Sequence, residues 1–142
     1  MTHVFCKTTI DRPAQAIWQA IDDFGAAGRY LSGVVACAVE GVGAGARRTL
    51  ISADGSSVVG RLESRDGAAS RLSYALLTDT PFRNCLTTVA VHDLGSGRAE
   101  LEWSATFEPD GFPESEAAEL LEAALAANCL ALKQVFEGDA AA

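Results

Sequence analysis

The stretch Glu114–Glu137, ESEAAELLEAALAANCLALKQVFE, decides the fold of this chain. It contains no Gly or Pro and consists mainly of Ala, Leu and Glu, which lose little conformational freedom in a helix, so it predicts one helix of about six turns. Apolar residues recur in it at intervals of three and four, which places them on one face. These are Leu121, Leu125, Leu132 and Val135, with the polar Asn128 among them. This face needs an apolar partner surface elsewhere in the chain.

Length and charge limit the class of protein. The chain has 142 residues, of which 49% are hydrophobic and 21% charged, and its net charge is −8. This length fits one globular domain, which we expect to span residues 1–138, followed by a disordered tail at 139–142. The negative charge repels phosphate backbones and anionic lipid surfaces, and no basic run offsets it. We therefore expect no binding of nucleic acid or of membrane surfaces.

The N-terminus and the cysteines indicate the compartment. MTHVFCKTTI lacks the basic and apolar segments of a signal peptide, and no apolar stretch approaches the ~20 residues of a transmembrane helix. Cys6, Cys37, Cys85 and Cys129 are far apart and form no CxxC pair. They predict free, mostly buried thiols rather than disulfides or a zinc site. We expect a cytoplasmic protein without membrane insertion, metal or other cofactor.

The chain before the long helix predicts seven strands and two short helices. The first strand is expected at residues 4–10, a helix at 14–21 and a second short helix or turn at 24–30. Six further strands are expected at residues 34–40, 47–52, 57–66, 70–78, 85–93 and 98–108. Short Gly- and Asp-rich segments separate them. Neighbouring strands should therefore pair as hairpins in an antiparallel sheet.

Alternation of apolar and polar residues assigns one face of this sheet to the core. In the last strand the inward set is Leu101, Trp103, Ala105 and Phe107; in the others it is Val58, Gly60, Leu62, Leu72, Tyr74, Leu76, Cys85, Thr87, Val89 and Val91. A twisted sheet with one apolar face, covered by one amphipathic helix, is a two-layer α+β domain. Tyr74, Cys85, Thr87 and Asn128 add polar groups to this interior, and such groups need a partner in protein, water or ligand.

Six short motifs carry a resemblance to a known superfamily. They are IDRPAQAIW at 10–18, DDF at 22–24, GVGAGARR at 41–48, DGSSVVGRL at 54–62, LSY at 72–74 and WSATFEP at 103–109. Together with the order of elements, they resemble the SRPBCC or START-like superfamily over essentially the whole chain. The resemblance is closest to its bacterial polyketide cyclase/dehydrase-like branch, whose relatives include the birch-pollen allergen and the plant abscisic acid receptors. It implies a helix-grip fold, in which a curved antiparallel sheet of about seven strands wraps around the long C-terminal helix and leaves a cavity.

The resemblance also implies that two loops, at residues 52–57 and 79–84, close over the cavity mouth. Asp54 and Gly55 permit a tight turn in the first loop, and Pro81 places Phe82 beside a stiffened backbone in the second. Each loop is either such a lid or an ordinary hairpin loop, with Phe82 packed under a neighbour. The sequence leaves both interpretations open.

Two positions depart from the pattern of the superfamily. Gly60 stands where many relatives have an inward Glu, and Cys85 where they have Tyr. Both changes remove bulk, and the first removes the carboxylate best suited to be a general acid or base in a cyclase. We therefore expect an enclosed cavity of roughly 300 Å³ or more. Tyr74 and Asn128 are its expected polar anchors, while Arg48 is either a third anchor or the partner of a surface carboxylate.

We predict that this domain binds a small hydrophobic or amphipathic molecule between sheet and helix. The alternative is a polyketide cyclase/dehydrase-like enzyme, which would orient a polyketide-like or aromatic substrate and exclude water. A homodimer formed through a sheet edge is compatible with both, and no catalytic residue is assigned. The residues expected at the ligand are Arg48, Val58, Gly60, Leu62, Tyr74, Leu76, Pro81, Phe82, Cys85, Thr87, Trp103, Leu121, Leu125, Asn128 and Leu132.

Overall fold

A computed structural model of the chain describes residues 2–23, 25, 34–77, 82–111 and 113–137. The elements are β1 (Thr2–Ile10), α1 (Ala14–Asp22), β2 (Val34–Glu40), β3 (Arg47–Ser52), β4 (Ser57–Asp66), β5 (Arg71–Leu76), β6 (Phe82–Gly95), β7 (Arg98–Pro109) and α2 (Glu114–Glu137). The second short helix predicted at residues 24–30, apart from Gly25, and the tail predicted at 139–142 lie outside the described residues. In the part that is described, neither helix is both long enough and apolar enough to span a membrane.

The strands form one antiparallel sheet in the order β1-β7-β6-β5-β4-β3-β2. Consecutive strands from β2 to β7 pair as predicted, and β1 joins the sheet beside β7, with Ile10 opposite Ala99. The predicted bounds of β2, β3 and β4 agree with the structure. β6 is longer than predicted, because its pairing with β7 runs from Phe82 to Gly95 through segments whose composition is typical of loops.

The predicted parity of the sheet is confirmed. Leu101, Trp103, Ala105 and Phe107 of β7 are all buried in the core. The buried residues of α2 are Ala117, Leu121, Leu125, Cys129 and Leu132. Val135 was expected on this face, but it is 43% exposed, and Phe136 packs against the core instead. The prediction failed there because the residue that the helix turns toward the core after Leu132 is Phe136, four positions later, and not Val135, three positions later.

The long helix α2 packs mainly against β1 and β7, at one end of the strand order. The thiol of Cys129 donates to the carbonyl oxygen of Cys6 at 3.8 Å, and the ammonium of Lys133 donates to the carbonyl oxygen of Thr9. Both contacts hold the helix to β1. Because the helix lies at this end of the sheet, the space between it and the strands from β2 to β6 is left for a cavity.

The C-terminal end of α2 is tied to the junction of β1 and α1 by the carboxylate of Glu137. Its Oε2 accepts a hydrogen bond from the backbone N of Asp11 at 2.8 Å and one from Nζ of Lys133 at 3.2 Å. The bond from Asp11, assisted by Lys133, lowers the pKa of Glu137 below its usual value of 4.5. This contact therefore depends on the charged form of the side chain.

Glu137→Gln should weaken the fold in a pH-dependent way. A lowered folded-state pKa means that the stabilisation is present above about pH 4.5 and is lost as the pH falls through the folded pKa. Urea unfolding at pH 7 and pH 3 should show the variant less stable than the wild type at pH 7, with the difference shrinking at pH 3. Glu119→Gln, at an exposed position of the same helix, is the control. A difference of equal size at both pH values would contradict a role for the charge.

Phe107→Ala should cost about 3–5 kcal/mol of unfolding free energy, the usual cost of removing a buried aromatic ring. Phe107 is 0% exposed and packs edge to face on Phe82, with ring centroids 5.2 Å apart. Phe5→Ala is the matched control, since Phe5 is 53% exposed on the other face of the sheet. Urea unfolding at pH 7 checks both variants. Similar losses in the two variants would show that the assignment of faces is wrong.

Candidate functional site

A cavity of about 240 Å³ lies between α2 and the strands β2 to β6. It is lined by Val34, Leu50, Ser52, Val58, Tyr74, Leu76, Cys85, Thr87, Leu121, Ala124, Leu125 and Asn128. The volume is smaller than the roughly 300 Å³ expected from the sequence. The sequence also predicted an enclosed cavity. Val34, Leu50 and Ser52 are only half-buried, so the described residues leave it partly open.

The structure brings part of the predicted site together. The predicted residues that line the cavity are Val58, Tyr74, Leu76, Cys85, Thr87, Leu121, Leu125 and Asn128. Others lie deeper in the protein: Arg48, Gly60, Leu62, Trp103 and Leu132 are buried but do not line the cavity. Phe82 packs on Phe107. Pro81 lies outside the described residues.

Four lining residues were missed by the sequence analysis: Val34, Leu50, Ser52 and Ala124. Leu50 and Ser52 share the strand parity of Arg48, so the period of two on β3 was a usable signal. Val34 lies opposite Ser52 in the register of β2 with β3. Ala124 precedes Asn128 by one helical turn, but a small residue adds little to an apolar periodicity and was overlooked.

A buried polar cluster adjoins the cavity at Tyr74. Arg48 is 3% exposed, and its guanidinium carbon lies 4.7 Å from the centroid of the Tyr74 ring, a cation–π distance. Nε1 of Trp103 donates a hydrogen bond to the hydroxyl oxygen of Tyr74 at 3.2 Å. Arg48 therefore lies in the interior, with its positive charge next to a residue that lines the cavity.

The size of the cavity follows from what surrounds Gly60. A Cβ atom on Gly60 would lie 3.5 Å from Cδ2 of Tyr74, which is ordinary van der Waals contact. The Tyr74 ring thus already occupies the space beside Gly60, and Arg48 lies directly across from Gly60 in the ladder of β3 with β4. The missing side chain at residue 60 does not enlarge the cavity. The small side chain of Cys85, in contrast, does line it.

Burial sets the protonation of the titratable groups at the cavity. It raises the pKa of the Tyr74 hydroxyl, and the positive charge of Arg48 and the hydrogen bond from Trp103 only partly offset this effect. Burial also raises the pKa of the Cys85 thiol, against a weaker opposing effect of Thr87. Near neutral pH, Tyr74 is a hydrogen-bond donor, and Cys85 is a thiol rather than a nucleophilic thiolate. No carboxylate or histidine is among the described residues of the lining.

Asn128 lines the cavity, together with Leu121 and Leu125 of the same helix. It is half-buried, and within the described ranges its amide makes no hydrogen bond. An amide side chain offers two donor hydrogens and one acceptor oxygen. The amide is not cut off from solvent, so it can exchange water for a polar group on whatever molecule fills the space.

The first loop that was expected to act as a lid is a hydrogen-bonded hairpin turn. The backbone N and the hydroxyl of Ser56 donate to Oδ1 of Asp54 at 2.9 and 2.6 Å, and Gly55 adopts a positive φ of 87°. These bonds also lower the pKa of Asp54. Of this loop, only Ser52 lines the cavity. The bonds favour the interpretation of an ordinary hairpin.

The second loop is described only from Phe82 onward. The ring of Phe82 packs edge to face on Phe107, a buried core residue. This contact agrees with the interpretation in which Phe82 is packed under a neighbour. The remaining part of the loop, residues 79–81, lies outside the described residues.

The described residues offer little to a metal ion. No group of three or more His, Cys, Asp or Glu side chains comes together within the described ranges. Cys85 and Cys129 are buried and Cys6 and Cys37 half-buried, and none of the four is in a disulfide. Burial and the neighbouring Cys6 raise the pKa of Cys129 to about 12, so this thiol is protonated at neutral pH.

Comparison with known families decides the class of protein. A family model described as polyketide cyclase / dehydrase and lipid transport matches residues 1–137. The chain belongs to this family. The resemblance found in the sequence motifs is thereby confirmed, and the seven-stranded sheet with its C-terminal helix confirms the helix-grip α+β fold. No curated protein matches the chain.

Solved structures of similar proteins share this fold over nearly their whole length. An uncharacterised protein from Bacillus thuringiensis is 25% identical, with a TM-score of 0.88 over 95% of this chain and 98% of its own. The protein XoxI from Bacillus cereus is 26% identical, with a TM-score of 0.88 over 96% of each chain. The Zhui aromatase/cyclase from a Streptomyces species is 20% identical, with a TM-score of 0.76 over 99% of this chain and 93% of its own. At that identity, the likeness to the last protein shows the fold alone.

Tyr74→Phe should destabilise this family member by about 1–3 kcal/mol at pH 7, because Nε1 of Trp103 then lacks this acceptor. The folded-state pKa of Tyr74 is raised above 10.0, so the stabilisation is present below pH 10 and is lost as the pH rises through the folded pKa. Urea unfolding of the wild type and the variant should therefore differ less at pH 10.5 than at pH 7.

The double variant Tyr74→Phe with Trp103→Phe controls for the shared hydrogen bond. Its loss should be smaller than the sum of the two single losses, since the second substitution removes a donor that the first left without this acceptor. Additive losses would show that the bond at 3.2 Å contributes nothing to stability.

Proposed function

We propose that this domain binds a small amphipathic molecule, without covalent chemistry, in the cavity between α2 and the sheet. The observation that carries the proposal is Asn128, a half-buried residue that lines the cavity and whose amide makes no hydrogen bond to any described residue. A carbonyl or hydroxyl group of the ligand supplies the missing partner. Asn128 is then the main polar anchor of the ligand.

The composition of the lining sets the rest of the ligand. Most of the lining is aliphatic, contributed by the strands β2 to β5 and by Leu121 and Leu125 of α2. Such a lining favours an apolar body with one or two polar groups. The hydroxyls of Tyr74 and Thr87 are further polar contacts. With a net charge of −8, the protein repels anions at long range, so a neutral polar group fits better than a phosphate.

A cyclase-like activity is the second candidate, and the cluster of Arg48 with Tyr74 favours it. Tyr74 stays protonated at neutral pH and donates to a substrate carbonyl, while the charge of Arg48, 4.7 Å from the Tyr74 ring, stabilises a developing enolate. The described lining supplies no carboxylate, histidine or thiolate to take up a proton. For this reason we place binding ahead of cyclisation.

Asn128→Leu should weaken ligand binding by about 1–3 kcal/mol, the usual cost of an unmet polar group, while leaving folding intact or improved. Native mass spectrometry of protein purified from its own host measures the occupancy of the co-purified ligand, and thermal unfolding checks the fold. Gln134→Leu is the matched control, since it removes an exposed amide from the same helix. Unchanged occupancy in a folded Asn128→Leu variant would remove Asn128 from the site.

The same preparation distinguishes binding from cyclisation. The ligand released by denaturation is returned to the empty protein, and its mass and fragmentation are compared before and after incubation. A carrier returns the molecule unchanged. A product with a new ring or the loss of one water, absent with Tyr74→Phe, would replace the binding proposal by the cyclase.

A further inference from the structure

A second hollow, of about 430 Å³, lies on the outer face of the sheet, where β4, β5 and β6 meet. It is lined by Arg61, Glu63, Ala75, Leu76, Leu77, Asn84, Cys85 and Leu86. Leu76 and Cys85 also line the inner cavity. The inner cavity and the outer hollow therefore share two lining residues, Leu76 and Cys85.

The backbone ladder is interrupted beside these two residues. The pairing of β5 with β6 ends at Ala75 opposite Leu86, and the pairing of β6 with β7 shifts between Arg83 and Leu86. Among the described strands, Asn84 and Cys85 thus have no ladder partner on either side. Elsewhere in the sheet, backbone hydrogen bonds separate the two faces. Here the two spaces meet at Leu76 and Cys85, which form no ladder pair with each other among the described residues.

Asn84 fixes the geometry of this bulge in β6. It adopts a positive φ of 52°, which Asn tolerates better than most residues, and its Nδ2 donates to Oε2 of Glu108 at 2.7 Å. Bulges of this kind bend a strand and re-aim its side chains, and they are frequent next to functional sites. The interruption is therefore a built feature, held by a side-chain hydrogen bond to β7.

Part of the outer hollow is apolar, beside the polar side chains of Arg61, Glu63 and Asn84. Ala75, Leu77 and Leu86 line it, and both leucines are exposed. The guanidinium of Arg61 is already engaged, since its Nε and Nη2 donate to Oε1 of Glu63 at 2.8 and 2.6 Å. An apolar chain therefore finds contacts here without having to displace an exposed ion pair.

We propose that the gap at Leu76 and Cys85 is a side opening through the sheet, and that the ligand is an elongated molecule. This inference rests on the proposed function and adds the shape of the ligand. The neutral polar end binds Asn128 in the inner cavity, and the apolar chain passes between Leu76 and Cys85 onto Leu77 and Leu86. The inner cavity of about 240 Å³ is smaller than the roughly 300–1,000 Å³ of most small-molecule sites, so a longer chain needs the outer space.

A homologous series of linear 1-alkanols, from hexanol to decanol, tests the proposal by isothermal titration calorimetry. The hydroxyl serves as the neutral polar end. With the side opening, the wild-type affinity should rise about fourfold per added methylene throughout the series. Leu86→Glu places a charge on the outer path, so it should abolish this rise for the longest alkanols and leave hexanol binding unchanged.

Leu94→Glu is the matched control for Leu86→Glu. Leu94 is also an exposed leucine of β6, but it lies near the other end of the strand and lines neither space. The control should bind every alkanol as the wild type does. A rise with chain length that persists in Leu86→Glu would overturn the side opening, and so would an affinity that stops rising with chain length in the wild type.

A second measurement uses the wild type alone and does not depend on how a variant folds. 1-Decanol with a terminal diazirine is bound and irradiated, and the labelled residues are mapped by mass spectrometry of peptides. Labels on Leu77 or Leu86 support the side opening, whereas labels on Val34 or Ser52 would overturn it by placing the chain at the other end of the cavity.

The two proposals fail in distinguishable ways. If hexanol binds in the wild type and binds more weakly in Asn128→Leu, but longer alkanols gain nothing, the side opening is wrong and the proposed function stands. If no alkanol of any length binds, the binding function and the side opening are both wrong.

Discussion

The packing of α2 on β1 and β7 is the constraint on which the rest of the structure depends. Asn128 and Cys129 are consecutive residues, so they point about 100° apart around the helix. With the Cys129 thiol held at the carbonyl of Cys6 on β1, Asn128 is turned toward the cavity. Lys133 and Glu137 fix the same rotation one and two turns later, through Thr9 and Asp11. The orientation of the proposed ligand anchor is thus set by contacts that lie about 100° away around the helix.

Sequence periodicity predicted the fold because a sheet with one buried face leaves little freedom of register. A slip by one residue would move Trp103 and Phe107 from the core to the surface, so their parity was readable from β7 alone. The cavity was harder to predict, since its volume depends on which neighbour fills the space beside a small residue. The Tyr74 ring fills the space at Gly60, and no local pattern in the sequence indicates that contact.

The candidate site was predicted best where it lies on regular elements. β5 and α2 carry their lining residues at the expected spacing, whereas on β4 only Val58 lines the cavity and the small side chain of Ala124 on α2 gave no signal. The bulge at Asn84 and Cys85 was assigned partly to a loop, because Asn is typical of turns and the β7 residues that pair with the flanking Arg83 and Leu86 lie far away in sequence. The position of β1 beside β7 is equally non-local, since it joins the two ends of the chain.

Burial decides which chemistry this interior favours. The desolvation that raises the pKa values of Tyr74 and Cys85 keeps both protonated, so the interior can donate hydrogen bonds but has no described lining group ready to accept a proton. The positive charge of Arg48 beside Tyr74 adds to this donor character. The proposed ligand would therefore be recognised through its oxygen acceptors. Any reaction on it would be limited to what orientation and polarisation achieve, because the step that needs a base has no partner in the described lining.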